Sequence, residues 1–293
     1  MAEARGVAEA RGVGDIVLME TAGLADPRSA LRMNPTTTLP PTPRIRILGC
    51  LVDNLTMSET LERIQQLIES RQPHQHVVVN VDKVVKAQKS AELMRIINEC
   101  SLINVDGMPV VWASRVLGVP LKERVAGIDL FESIMKQSAS RGWRVFLLGA
   151  KEDVVQAVRA KYEAECPGIQ IVGCRNGYWS EAEEPEVASM VAAARPDILF
   201  VAMSSPKKEF FLGRYQRDMR VPFAMGVGGS FDVVSGKVKR APVWMQRVGL
   251  EWFYRFLQEP TRMFRRYFIE DMGFFWLLAK EVLTGRKRTE RIR

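Results

Sequence analysis

The apolar positions of this chain change period several times along its length, and each change marks an element. "RIRILGCLVD" at 44–53 reads as a strand. "TMSETLERIQQLIES" then takes a helical period. Leu61, Ile64, Leu67 and Ile68 share one face, and Thr56 with Glu59 fits a capping box. "HVVVNV" is continuous in β-branched residues, as in a strand covered on both faces. "DKVVKAQKSAELMRIINEC" reads as one helix and "LINV" as the next strand. A second series follows. "WRVFLLGA", "IQIVGC", "PDILFVAM" and "PFAMGVGG" are strands, alternating with the helices "KEDVVQAVRAKYEAEC", "PEVASMVAAAR" and "SPKKEFFLGRYQRDM". Such alternation with short loops predicts an α/β fold, a mainly parallel sheet flanked by helices on both faces.

The pattern divides the chain into three. Residues 1–43 repeat "AEARGV" and then run through "MNPTTTLPPTPR", which reads as a disordered tail and linker. Residues 44–238 carry the β/α rhythm. From 239 to 293 the strand pattern stops, and two or three helices broken at Glu259-Pro260 follow. In this last part Arg255, Arg262, Arg265 and Arg266 fall at helix-like spacings among Trp252, Phe253, Phe256, Phe264 and Phe268. A basic helix with aromatic residues on another face suits an anionic membrane surface. The same pattern suits nucleic-acid phosphates, or a packing helix with a solvated basic side.

Composition adds constraints. The net charge is +8 in 293 residues, which points to an anionic partner. None of the four cysteines makes a CxxC pair, and with only two histidines thiolate zinc chemistry is disfavoured. No stretch approaches the roughly 20 apolar residues of a membrane span, and no signal peptide is expected.

Ligands of open α/β sheets sit at the carboxyl ends of the strands. Asp106, after "LINV", is therefore either a helix cap or a general base facing the crevice. Asn80, at the end of the neighbouring strand, either holds a substrate hydroxyl or caps the helix after it. The loop "SSPKKEFF" sets Lys207, Lys208 and Glu209 at a helix start suited to anions. The glycine-rich "GVGGSFDVVSG" lacks the GxGxxG order of a dinucleotide site. No Asp-x-Asp occurs, so a nucleoside diphosphate would be met by Lys, Arg or backbone N–H groups.

These segments together resemble the WecG/TagA/CpsF glycosyltransferases, glycosyltransferase family 26. "VVNVDKVVKA", "INVDGMPVVW", "RVAGIDLF", "VFLLGAKEDVV", "GYW", "PDILFVAMSSPKKEFF" and the block "RAPVWMQRVGLEWFYRFLQEPTRMFRRY" stand in family order over about residues 45–268. The resemblance implies a Rossmann-like domain with a C-terminal helical appendage. It implies a peripheral enzyme on the cytoplasmic face of the inner membrane, serving cell-surface or exopolysaccharide synthesis. Such an enzyme moves a sugar from a UDP-sugar to a polyprenyl-diphosphate-linked saccharide, with inversion and with no metal or cofactor.

Asp106 matches the family's proposed base, Asn80 a pocket residue and Arg124 an active-site arginine. Arg255, Arg262 and Arg265 match arginines suggested to bind the lipid diphosphate, and Arg266 joins them. The donor side is assigned to Gly149, Tyr178, Lys207, Lys208, Glu209, Gly228, Phe231 and Asp232. Two positions depart from the family: Lys208 replaces a glutamine, and Val78 stands where some members have a hydroxyl residue. These departures keep a non-catalytic nucleotide-sugar-binding scaffold as the alternative. A homo-oligomer fits, and no nucleic acid is expected.

Overall fold

The structure, a computed structural model, describes residues 39–284 and 291–292, with only the backbone of Arg262, Arg291 and Ile292. The tail assigned to 1–43 lies outside the described residues up to residue 38.

The chain opens with a hairpin, β1 (Arg44–Ile47) and β2 (Cys50–Asp53). The sequence pattern predicts one strand here. The difference comes from Leu48 and Gly49, both at positive φ (47° and 86°), the requirement of a tight two-residue hairpin turn. Next come α1 (Met57–Glu69) and β3 (His74–Val79), then α2 (Val81–Lys89) and α3 (Ala91–Glu99). Thr56 and Glu59 do form the capping box on α1. The single helix read over 82–100 is broken at Ser90, which leaves helical geometry and accepts from the Leu93 N–H at 3.2 Å to start α3.

The chain continues through β4 (Leu102–Val105), α4 (Met108–Val116) and α5 (Gly127–Arg141). Then come β5 (Arg144–Gly149), α6 (Glu152–Glu165), β6 (Gln170–Arg175) and α7 (Glu184–Ala194). β7 (Ile198–Ala202), α8 (Lys207–Met219), β8 (Phe223–Gly226) and the short α9 (Ser230–Val234) complete the β/α part.

Strands β3 to β8 form a six-stranded parallel sheet in the order β4-β3-β8-β7-β5-β6. Alternate residues of each strand face opposite ways, so the two faces carry separate cores. Phe200, Phe223 and Met225 pack with Phe131 of α5 on one face. Val77, Val79, Ile103 and Val105 pack with α2 and α3 on the other, continued by Leu199, Val201 and Ala224. The free edge of β4 is covered by the hairpin, where the buried Asp53 accepts from the Ile103 N–H at 2.7 Å and pairs with Arg44 at 3.0 Å. The chain is thus an α/β, Rossmann-like fold.

The C-terminal part is helical, in more pieces than the two or three helices expected. It contains α10 (Val243–Arg247), α11 (Glu251–Gln258), α12 (Pro260–Arg265), a π-helical turn over Arg266–Glu270, and α13 (Met272–Thr284). The break falls at Glu259-Pro260, and Pro260 opens α12, where a missing N–H does no harm. A two-residue strand, β9 (Arg291–Ile292), pairs with β1, a contact the sequence pattern does not announce. Phe274 is fully buried beside Val84 and Val85, which fixes α13 to the α2 face of the sheet.

Candidate active site

The register of the sheet builds the site. β3 and β4 pair with Val79 opposite Val105, so Asn80 and Asp106 leave the sheet side by side, and the Asp106 N–H donates to the Val79 carbonyl at 3.0 Å. Asp106 does not cap α4. That cap is Gly107, at φ 104°, with no side-chain hydrogen bond. Instead Asp106 Oδ2 accepts from the N–H of Gly127, the first residue of α5, at 3.3 Å. Oδ1 lies 3.8 Å from Arg124 Nη1, too far for a hydrogen bond. The side chain stays 36% exposed. Burial raises its carboxyl above the usual value, Arg124 pulls it back, and Glu251 and Asp129 add to the rise.

Asn80 caps α2: its Oδ1 accepts from the Lys83 N–H at 3.0 Å. The cap uses only the carbonyl oxygen, so the two amide donors are not consumed by it. Arg124, 17% exposed, reaches past Asp106 to donate to Glu251 Oε2 at 3.3 Å. Glu251 Oε1 in turn pairs with Arg240 Nε at 3.4 Å, and Arg240 holds Asp129 through both terminal nitrogens.

The donor-side residues separate into two groups. Lys208 and Glu209 are buried in an ion cluster in which Glu209 Oε1 lies 2.8 Å from Lys83 and 3.3 Å from Lys208. Burial would raise Glu209, but the two ammonium groups prevail and hold it at about 2. Burial and the neighbouring Lys83 push Lys208 down to about 8. Its stem crosses the end of β8, where a Cβ on Gly226 would stand 2.9 Å from it. Phe231 is also fully buried, against Phe131, and belongs to the core beneath the site. All three of these side chains are buried.

In the other group Lys207, Gly228 and Asp232 are partly exposed, and Gly149 is buried. Lys207 Nζ lies 5.0 Å over the Trp179 ring, with Arg175 also 5.1 Å from that ring, and Tyr178 beside them is exposed. Gly149, at φ 117°, approaches β7 so closely that a Cβ would stand 2.5 Å from the Ala202 carbonyl oxygen. Gly228, at φ 52°, leaves open space where its Cβ would be, and Asp232 lies one turn further on.

Of the appendage arginines, Arg255 reaches the site. Its Nη2 lies 3.2 Å from where a Cβ of Gly229 would be. Arg265 pairs with Glu270 at 3.2 Å and Arg266 lies 3.9 Å from Asp271, so both are engaged within the appendage. The Arg262 side chain lies outside the described residues.

The profile of the "Glycosyl transferase WecG/TagA/CpsF family" matches residues 45–288. The chain belongs to the WecG/TagA/CpsF family. It is therefore a glycosyltransferase. Two relatives bear the name N-acetylglucosaminyldiphosphoundecaprenol N-acetyl-beta-D-mannosaminyltransferase. That of Bacillus spizizenii (strain W23) is 38% identical over 186 residues, 64% of this chain and 72% of the relative. That of Bacillus subtilis (strain 168) is 39% identical over 184 residues, 63% and 71% of the two chains.

Sequence reasoning missed Glu251, Arg240 and Asp129. The spacing of Glu251 and Arg255, one helical turn apart, is the available signal: it puts both on one side of α11, toward Arg124 and the Gly229 turn.

Proposed function

We propose that this glycosyltransferase moves a sugar from a UDP-sugar onto a saccharide carried by a polyprenyl diphosphate, by a single inverting displacement without a divalent metal. The observation that carries the proposal is Asp106. One of its oxygens is fixed by a backbone N–H, the other lies 3.8 Å from Arg124, beyond hydrogen-bond reach, and the side chain stays partly exposed at the carboxyl edge of the sheet.

The acceptor hydroxyl approaches Asp106 Oδ1 and gives up its proton there. Its oxygen forms the new bond to the anomeric carbon as the bond from that carbon to the diphosphate oxygen breaks, and the electron pair leaves with UDP. The growing negative charge is met by Arg255, by Lys207 and by N–H groups of the Gly228–Gly229 turn. Asn80, beside Asp106 in register, orients a sugar hydroxyl with its amide donors.

The relatives' names supply the first substrates to test, UDP-N-acetylmannosamine and a diphosphate-linked N-acetylglucosamine. The appendage supports a peripheral membrane location. Among the described residues no helix is long and apolar enough to cross a bilayer. Trp244, Phe264, Phe268 and Trp276, spread over this basic helical part, are at least half exposed, as suits a surface-seated segment.

The test is a screen of UDP-sugars against a short-chain polyprenyl-diphosphate-linked acceptor, with and without EDTA. Acceptor-dependent UDP release, a product inverted relative to the donor and indifference to EDTA are expected. Donor binding without turnover for every pair would refute the proposal in favour of a scaffold.

A further inference from the structure

Glu251 has no task in the displacement just described, yet it closes a ring of contacts around the base. Asp106 Oδ2 is held by the first N–H of α5. Two residues along α5, Asp129 is clamped by Arg240. Arg240 pairs with Glu251, Glu251 with Arg124, and Arg124 faces Asp106 again. Three of these groups belong to the β/α part. Arg240 and Glu251 come from the C-terminal helical part.

The distances show where Arg124 spends its charge. It is 3.3 Å from Glu251 and 3.8 Å from Asp106. An arginine beside a lone carboxylate normally closes on it through two N–H bonds and occupies the lone pairs a base needs. At 17% exposure Arg124 has little water to turn to, so without Glu251 its nearest anion is Asp106.

We propose that Glu251 is a positioning residue for the base: with α11 docked, it holds the Arg124 guanidinium off Asp106 Oδ1 and leaves that oxygen free for the acceptor's proton. The inference rests on Asp106 acting as the base. The electrostatics agree in sign, since Arg124 lowers the Asp106 carboxyl while Glu251 and Asp129 raise it. One turn along the same helix, Arg255 reaches the Gly229 turn. The docked α11 therefore carries both the group that sets the base and a cation on the leaving-group side.

The test is the pH profile of kcat/KM for the wild type, Glu251→Gln, Glu251→Asp and Asp106→Asn. Loss of the Glu251 charge lets Arg124 close on Asp106. The acidic limb of Glu251→Gln is then expected about one pH unit lower, with the plateau reduced about three- to ten-fold. Glu251→Asp restores part of both. A role in folding alone would lower the plateau and leave the limb where it was.

Carbon-13 titration of the Asp106 carboxyl, assigned by its loss in Asp106→Asn, reads the same shift without turnover, so an inactive Glu251→Gln still answers. An Asp106 midpoint that is unchanged in Glu251→Gln overturns the inference. Wild-type turnover by Asp106→Asn would instead remove the base reading on which it stands.

Discussion

Single residues in this protein carry unequal burdens, and the buried ions show it most clearly. Glu209 neutralises two buried lysines, Lys83 and Lys208. Glu209→Gln leaves both ammonium groups without a counter-charge and is expected to cost about 3–5 kcal/mol, measured by denaturant unfolding. Lys208→Gln is the gentler change, because Lys83 still partners Glu209, and it is expected to leave the unfolding midpoint close to wild type. The side-by-side placement of Asp106 and Asn80 was legible in the sequence, because each ends an apolar strand and adjacent strands end together. The Arg124–Glu251 contact was not. It joins residues 127 positions apart, and no local pattern encodes which distant carboxylate an arginine meets.

Elements show where local chemistry overrides the apolar period. The hairpin at Leu48–Gly49 and the break at Ser90 both interrupt runs that read as continuous, through positive φ in one case and a capping hydroxyl in the other. Gly149 lies at the other extreme. Its φ and the Ala202 backbone leave no room for a side chain, and Gly149→Ala is expected to destabilise by at least about 1–3 kcal/mol.

The turn into α13 has its own pH dependence. Asp271 is buried, its Oδ1 has no hydrogen-bond partner among the described residues, and Arg266, Asp82, Glu270 and Lys86 surround it. Burial leads in pushing its carboxyl up to about 6, against an ordinary value of 3.8. A carboxyl raised on folding favours the folded state below its unfolded value, and that contribution is lost as pH rises through about 6. Asp271→Asn is therefore expected to raise stability at pH 8 by roughly 2 kcal/mol and to leave it unchanged at pH 3, read from unfolding at the two pH values.

At the scale of the whole molecule, a parallel sheet presents its carboxyl edge to a helical part that is basic and rich in exposed aromatic residues. The parallel α/β class was legible because strands and helices alternate. The order was not, since β7 and β8 insert between β3 and β5, and packing across the whole sheet decides that. The exposed aromatics predict how the protein meets a bilayer. Replacing Phe268 and Trp276 with serine keeps the buried Phe274 contact and is expected to reduce sedimentation with anionic phospholipid vesicles at least about ten-fold. Unchanged sedimentation would place the membrane contact elsewhere.

Asp106 as the proton acceptor is the claim to which these scales converge. Its most direct measurement is acceptor-dependent UDP release by purified Asp106→Asn, with donor binding followed in parallel. The account predicts turnover reduced about 10²- to 10⁴-fold with fold and donor affinity retained. Turnover close to wild type in a folded, donor-binding variant would contradict it.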